Sequence, residues 1–166
     1  SGPNLSKEIA GGVPTSTVVA SQSCESAKAA QQLFASPLFR VYTSSDLIGV
    51  ELGGALKNVI AIAAGVGDGL GFGDNAKASL LTRGWREMTR LATALGAREP
   101  TLYGLSGIGD LFATCTSQLS RNHALGVRLS KGESLQEARA CIARTAEGVH
   151  TTRAALQLAR EANVEL

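Results

Sequence analysis

The fold of this chain is decided by the stretch Leu47–Val66, LIGVELGGALKNVIAIAAGV. Ser45 or Asp46 can cap the start of a helix here, and the apolar pattern predicts that the helix ends near Gly65. The stretch looks long enough to cross a membrane. Because a lysine at the centre of a membrane-spanning helix costs about 2.5–3.5 kcal/mol, Lys57 favours a buried helix of a soluble protein with no membrane span.

The segment before this helix has the pattern strand, helix, strand. Short β-rich runs at Thr15–Ala20 and Leu38–Thr43 flank an amphipathic helix over Cys24–Ala35. Such a βαβ unit normally belongs to a larger parallel sheet covered on both faces, and two strands cannot form that sheet alone. The predicted fold is therefore mainly α, with a helical domain at 46–166 preceded by the short, incomplete βαβ remnant at 1–45.

The remainder of the chain reads as helices separated by short loops. The glycine-rich run is expected to be a loop and Asp74 the cap of the next helix. A Ser-x-x-Glu capping box opens a later helix. The expected segments are a loop over Gly65–Gly73, a helix from Asp74 to Gly96, a helix over Asp110–Ser120, a capping box at Ser134–Glu137 and a last helix over Thr151–Ala162.

Composition narrows the class of protein. Of 166 residues 44% are apolar, and the net charge of +2 does not favour a nucleic-acid partner. The three cysteines form no CxxC pair, which favours a reducing, cytoplasmic location, and no metal site is expected. The first residues lack a basic, apolar leader, so no signal peptide is expected, and the start without Met indicates a piece of a longer protein. Neither a GxGxxG turn nor a P-loop is present, so any dinucleotide would have its phosphate cradle elsewhere.

Lys57 is the most informative residue of the long helix. At helical spacing its neighbours are Gly53, Gly54, Ala61 and Ala64, so it lies on a face of small residues that a ligand or another backbone can approach closely. A lysine in such surroundings can act as a general acid or base. A buried lysine that forms a structural ion pair with a carboxylate would give the same pattern, and both interpretations stay open here.

A second polar cluster follows later in the chain. Asp110, Thr114, Ser117 and Arg121 have the spacing i, i+4, i+7 and i+11, with Asn122 beside them, so they share one face if the helix is continuous. An acid, a hydroxyl and an Arg-Asn pair suit a ligand that carries a hydroxyl and a phosphate. A solvated polar face of a surface helix is the alternative.

Several segments, taken in order, resemble one enzyme family. They are Gly2–Glu8 (GPNLSKE), Gly49–Val59 (GVELGGALKNV), Gly73–Ala78 (GDNAKA), Gly107–Leu111 (GIGDL), Thr114–Ser117 (TCTS) and Ser120–Asn122 (SRN). Together they strongly resemble the bacterial NAD(P)-dependent sn-glycerol-3-phosphate dehydrogenases. Each motif alone would be weak, whereas the Lys-Asn helix followed by Ser-Arg-Asn is specific.

The resemblance implies an oxidoreductase that transfers hydride between NAD(P)H and dihydroxyacetone phosphate and supplies sn-glycerol 3-phosphate for glycerophospholipid synthesis. It also implies that this chain holds the end of a dinucleotide-binding domain and most of a helical substrate domain, cut short at its C-terminus. The isolated chain is then expected to be inactive. The choice between NAD and NADP stays open.

The resemblance also implies roles for individual residues. Lys57 would transfer the proton at the substrate C2 oxygen, and Asp110 would hold Lys57 or a substrate hydroxyl. Substrate contacts are expected from Gly2, Asn4, Lys57, Asn58, Asp110, Thr114, Ser120, Arg121 and Asn122. Cofactor contacts are expected from Ser6, Arg121, Thr145 and Glu147. His123 is expected at the surface.

Two other functions are compatible with the residues. The small-residue helix would also suit a non-catalytic module for helix packing or dimerisation, and a homodimer stays open. A sister dehydrogenase with another substrate is the third hypothesis, which the Ser-Arg-Asn segment argues against.

Overall fold

The structure is a computed structural model that describes residues 1–142 and 146–166. The described part is mainly helical, with a short βαβ unit before the long helices, as predicted; a one-turn helix that was not predicted precedes this unit. The elements are α1 (Ser6–Ala10), β1 (Thr15–Ala20), α2 (Cys24–Phe34), β2 (Phe39–Ser44), α3 (Leu47–Gly69), α4 (Gly73–Ala94), α5 (Glu99–Leu102), a π-helical turn (Leu105–Gly109), α6 (Asp110–Thr116), α7 (Arg121–Ser130), α8 (Leu135–Ala140) and α9 (Gly148–Glu161).

The βαβ unit forms a two-stranded parallel sheet. β1 and β2 pair in register from Thr15 opposite Phe39 to Ala20 opposite Ser44. The β2 strand begins one residue after the predicted start. α2 connects the two strands, and its first turn is capped by the Ser23 hydroxyl oxygen. The second strand of the unit ends at Ser44, shortly before α3 begins at Leu47.

Asp46 joins the end of the βαβ unit to the helical part. One carboxylate oxygen caps α3 by accepting from Gly49 N at 2.9 Å. The other accepts from Arg98 N at 2.9 Å and from the Thr101 hydroxyl at 2.6 Å. Burial alone raises the pKa of Asp46, but the hydrogen bonds from Thr101, Gly49 and Arg98 together hold it below its ordinary value. The carboxylate therefore stays ionised and anchors α3 to α5 and to the residue before it.

The prediction that Gly65–Gly73 is a loop is wrong for its first half, because α3 continues to Gly69. The glycines serve close helix packing instead. A Cβ on Gly65 would lie 2.0 Å from the carbonyl oxygen of His123 on α7, and a Cβ on Gly126 of α7 would lie 2.0 Å from a carbonyl oxygen of α3. The reversal occurs only in the three residues between α3 and α4.

Two other helix boundaries differ from the prediction. α4 begins at Gly73, where φ is +79°, so Asp74 lies in the first turn and is not the cap. α9 begins at Gly148, three residues before the predicted Thr151.

α3 is the core helix of the chain. Among the described residues it is also long and apolar enough to cross a membrane by length and composition, with 23 residues and a mean hydropathy of 1.6. It is partly buried and packs against α4, α6, α7 and α9. Its core contacts include Leu56 with Leu91 and Leu102 on one side, and Ala61 and Ala64 with Leu111 on the other.

Candidate active site

Lys57 lies in the middle of α3 and forms an ion pair with Asp110, the first residue of α6. The lysine side chain is 18% exposed and that of the aspartate is 3% exposed. The pair brings together two residues that are 53 positions apart in the sequence. The predicted proton-transfer residue and the acid expected to hold it therefore meet, and the lysine is the more accessible of the two.

Asp110 is held by three further hydrogen bonds. Oδ2 accepts from Gly2 N at 3.3 Å. The Thr114 hydroxyl donates to the backbone carbonyl of Asp110 at 2.6 Å and lies 3.3 Å from its Oδ1. Gly2 has a φ of +137°, which favours glycine at this position. Burial raises the pKa of the Asp110 carboxyl, and the Lys57 ammonium partly offsets this effect.

An amide network lies beside the ion pair. Asn122 Nδ2 donates to Asn58 Oδ1 at 2.9 Å, and Asn122 Oδ1 accepts from Gly148 N at 3.0 Å. Asn58 Nδ2 donates to the Gly54 carbonyl at 3.2 Å. A Cβ on Gly148 would lie 2.6 Å from the Asn58 carbonyl oxygen, so the close approach of α9 requires glycine there. The network holds the first turn of α7 and the start of α9 against α3.

Arg121 lies at the start of α7 and forms a long ion pair, 3.7 Å from Nη2 to Oε1, with Glu147. Both side chains are well exposed, at 44% and 64%. The helix start itself is fixed by Ser120, whose hydroxyl oxygen accepts from His123 N at 3.2 Å. The guanidinium is thus carried on an ordered helix start at the edge of the site.

These groups surround one pocket of about 560 Å³. Its lining residues are Asn4, Leu5, Ser6, Lys7, Gly54, Lys57, Asn58, Thr114, Leu119, Ser120, Arg121, Asn122 and Glu147. Most of the predicted site residues are in this set. Gly2 and Asp110 are not; they contact each other, and Asp110 reaches the pocket through Lys57. Thr145 lies outside the described residues.

The predicted single helical face over Asp110–Ser120 is wrong. α6 ends at Thr116, and Ser117 has extended backbone angles (φ −84°, ψ 131°), so the chain turns before α7 begins at Arg121. Ser117 is not among the lining residues. Thr114 and Arg121 still meet at the pocket, because the turn between the two helices redirects the chain around it.

Sequence reasoning missed Lys7 as a lining residue. It belongs to the quoted GPNLSKE motif, and it makes no ion pair with any other residue in the part of the chain that the structure describes. Its charge adds to those of Lys57, which is paired with Asp110, and of Arg121, which is paired with Glu147. A cationic pocket of this kind suits an anionic ligand.

Asn4 presents an unused acceptor at the same pocket. Its Nδ2 donates to the Thr17 hydroxyl oxygen at 2.8 Å, and that hydroxyl donates to the Ser1 carbonyl at 3.1 Å, which fixes the orientation of the amide. Asn4 Oδ1 is buried and has no partner among the described residues. The oxygen is shielded from solvent, so a ligand hydroxyl or carboxamide N–H would pair with it after the Asn4 side chain turns towards the pocket. The described residues therefore fit the reactive end of a nicotinamide dinucleotide, whereas the sequence contains no glycine-rich turn for its phosphates.

Comparison with known proteins assigns the family. Residues 46–166 match the family model described as NAD-dependent glycerol-3-phosphate dehydrogenase C-terminus. The chain belongs to this family.

Family relatives match beyond this segment. The chain is 58% identical over 166 residues to a glycerol-3-phosphate dehydrogenase (NAD(P)+) of Synechococcus elongatus, covering all of this chain and 54% of the relative. It is 56% identical over 164 residues to the enzyme of the same name from a Nostoc species, covering 99% of this chain and 53% of that protein. The chain thus spans about half the length of these curated relatives.

Solved structures of this family share the fold. A glycerol-3-phosphate dehydrogenase crystal structure from Coxiella burnetii superposes with a TM-score of 0.97 at 42% identity, over 100% of this chain and 51% of that one. The enzyme of Saccharomyces cerevisiae superposes with a TM-score of 0.85 at 28% identity, over 98% of this chain and 50% of that one.

Proposed function

We propose that this chain is the C-terminal, substrate-binding part of an NAD(P)-dependent glycerol-3-phosphate dehydrogenase. Residues 1–45 are then the end of the dinucleotide-binding domain, and residues 46–166 are the helical substrate domain. The family match from residue 46 supports this division. The observation that carries the proposal is the Lys57–Asp110 pair at a pocket with three cationic side chains.

Lys57 is the proton-transfer group in this proposal. In the direction of reduction its ammonium donates a proton to the C2 oxygen of dihydroxyacetone phosphate, and in the reverse direction the neutral amine accepts the proton from the C2 hydroxyl of sn-glycerol 3-phosphate. Bound NAD(P)H supplies the hydride. Asp110 holds the lysine in place, and Thr114 and Gly2 hold Asp110.

Arg121 binds the substrate phosphate, because its planar donor fork matches phosphate oxygens and it lies at the pocket on an ordered helix start. Asn122, Asn58 and Ser120 line the same pocket. Ser6 and Glu147 line the pocket and stay proposed cofactor contacts. Thr145 stays a predicted cofactor contact, and the cytoplasmic location stays a prediction.

The alternative of a non-catalytic helical module loses its main support. The small residues of α3 that suggested an external helix partner are used inside the chain, where Gly53 contacts Ser106 and Gly65 contacts α7. A homodimer stays a prediction.

The proposed function is tested by following NADPH oxidation in the full-length enzyme that carries this chain. Turnover is expected with dihydroxyacetone phosphate and not with dihydroxyacetone or with 2-keto acids. Residues 1–166 alone are expected to be inactive, because they lack the dinucleotide phosphate site. Equal turnover with a 2-keto acid would support the sister-dehydrogenase hypothesis, and turnover by residues 1–166 alone would contradict the proposed division of the enzyme.

A further inference from the structure

A partly buried charged cluster lies outside the pocket. His123, on the first turn of α7, is 7% exposed, so the expectation that it lies at the surface is wrong. Its Nε2 is 2.7 Å from Oδ2 of Asp68 near the end of α3. The same Oδ2 is 2.8 Å from Nζ of Lys77 on α4. The cluster therefore links three helices around one carboxylate.

The ionised carboxylate of Asp68 determines that Nε2 of His123 carries a hydrogen. Burial alone raises the pKa of Asp68, but the hydrogen bonds from Lys77 and His123 outweigh this effect and hold its pKa below the ordinary value. An ionised carboxylate can only accept hydrogen bonds, so Nε2 of His123 must carry a hydrogen. Asp68 thus accepts from α4 and α7 at the same time.

Helix geometry explains why His123 and its two preceding neighbours have different contacts. Successive residues of an α-helix are about 100° apart around the axis, so Arg121, Asn122 and His123 point in three different directions. Arg121 faces the pocket, and Asn122 donates a hydrogen bond to Asn58. His123 instead bonds to Asp68, which lies about 15 Å from Asn58 along the axis of α3 at about 1.5 Å per residue. The first turn of α7 is therefore fastened to α3 at two separate points.

We propose that His123 is a positioning residue for substrate binding, which together with Asp68 and Lys77 fixes the first turn of α7 so that Arg121 faces the ligand phosphate. This inference rests on the proposed function. His123 does not line the pocket, so it acts through Arg121 and does not touch the ligand itself.

The test is a double-mutant cycle in the full-length enzyme, with the KM for dihydroxyacetone phosphate and kcat as readouts. His123→Ala is expected to raise this KM about tenfold and to change kcat less than about threefold, since one hydrogen bond to a charged group is lost. In an Arg121→Ala background the same substitution is expected to change KM less than about twofold, because the residue through which it acts is gone. His123→Gln, whose amide can donate to Asp68, is expected to restore most of the loss.

Glu133→Gln is the matched control. It removes an ion pair of similar length, 2.8 Å from Arg128 Nε to Glu133 Oε2, at the other end of α7. A general loss of stability would follow from either change, whereas only the His123 change is expected to move the KM. Thermal melting of each variant gives the stability change separately.

The inference is overturned if His123→Ala leaves the KM unchanged, if its effect multiplies in full with that of Arg121→Ala, or if Glu133→Gln moves the KM equally. Should His123→Ala not fold, Asp68→Asn replaces it in the same cycle with the same expectations. Failure of the proposed function is distinct from these outcomes, because the wild-type enzyme would then not turn over dihydroxyacetone phosphate at all.

Discussion

The Lys57–Asp110 pair is expected to contribute strongly to the stability of the helical part of the chain. Both side chains are largely shielded from water, and removing one partner of a buried pair costs about 3–5 kcal/mol because the other charge is left uncompensated. Lys57 retains some exposure, which places the expected loss at the lower end. Lys57→Met should therefore cost about 3 kcal/mol and Asp110→Asn about 2 kcal/mol, the latter keeping hydrogen-bond partners in Gly2 and Thr114.

The double variant separates the coupling energy of the ion pair from the stability that each side chain contributes by itself. Carrying both substitutions leaves no buried charge, so it should cost about 2 kcal/mol in total, and the coupling energy between the two sites should be about 3 kcal/mol. Trp85 is the single tryptophan of the chain, and its indole donates to the Leu102 carbonyl inside the helical part. Urea denaturation followed by its fluorescence gives the free energy of unfolding of each variant.

The pH dependence provides a second check on the same cycle. In Lys57→Met the burial of Asp110 is no longer offset by an ammonium, so its folded-state pKa lies further above the ordinary 3.8. A group with a raised folded-state pKa stabilises the fold below its unfolded pKa, and that stability is lost as the pH rises through the folded-state value. The destabilisation by Lys57→Met should thus shrink as the pH falls from 7 towards 4. A coupling energy below about 0.5 kcal/mol at pH 7 would refute the buried-pair argument.

Two further predictions concern packing and reactivity. Gly126→Ala should destabilise the chain by at least about 2 kcal/mol in the same urea assay, because the added Cβ would lie 2.0 Å from a backbone oxygen of α3; an unchanged midpoint would contradict the close helix contact. Cys115 is fully buried, and burial raises the pKa of its thiol to about 12, so a maleimide at pH 7.5 should label only the exposed Cys24 and Cys141 in the folded chain. Mass spectrometry counts the labels, and rapid labelling of a third cysteine would be inconsistent with the core around α6.

Much of the helical architecture can be predicted from local signals. α3 follows from one long apolar run with Asp46 before it, and α8 follows from the Ser-x-x-Glu capping box, which the structure contains. The extension of α3 through Gly65 could not be predicted. Whether a glycine ends a helix or lets another helix approach depends on the partner helix, which a single sequence does not reveal.

The site was only partly accessible from the pattern of residues. The face of small residues around Lys57 was visible, but its pairing with Asp110 depends on the tertiary contact of α3 with α6 and was expected only from the family resemblance. The assumption of one helix from Asp110 to Ser120 failed at the turn after Thr116. Ser120 is a favoured N-cap residue, and it was the available signal that a new helix begins at Arg121.

The most direct test of proton transfer by Lys57 is the oxidation of sn-glycerol 3-phosphate by the Lys57→Arg variant of the full-length enzyme. An arginine keeps the positive charge beside Asp110 but does not deprotonate in proteins, so it cannot accept the proton of the C2 hydroxyl. The account predicts that kcat falls at least about a hundredfold while the melting temperature stays within a few degrees of the wild type. A kcat within about threefold of the wild type would show that another group transfers the proton.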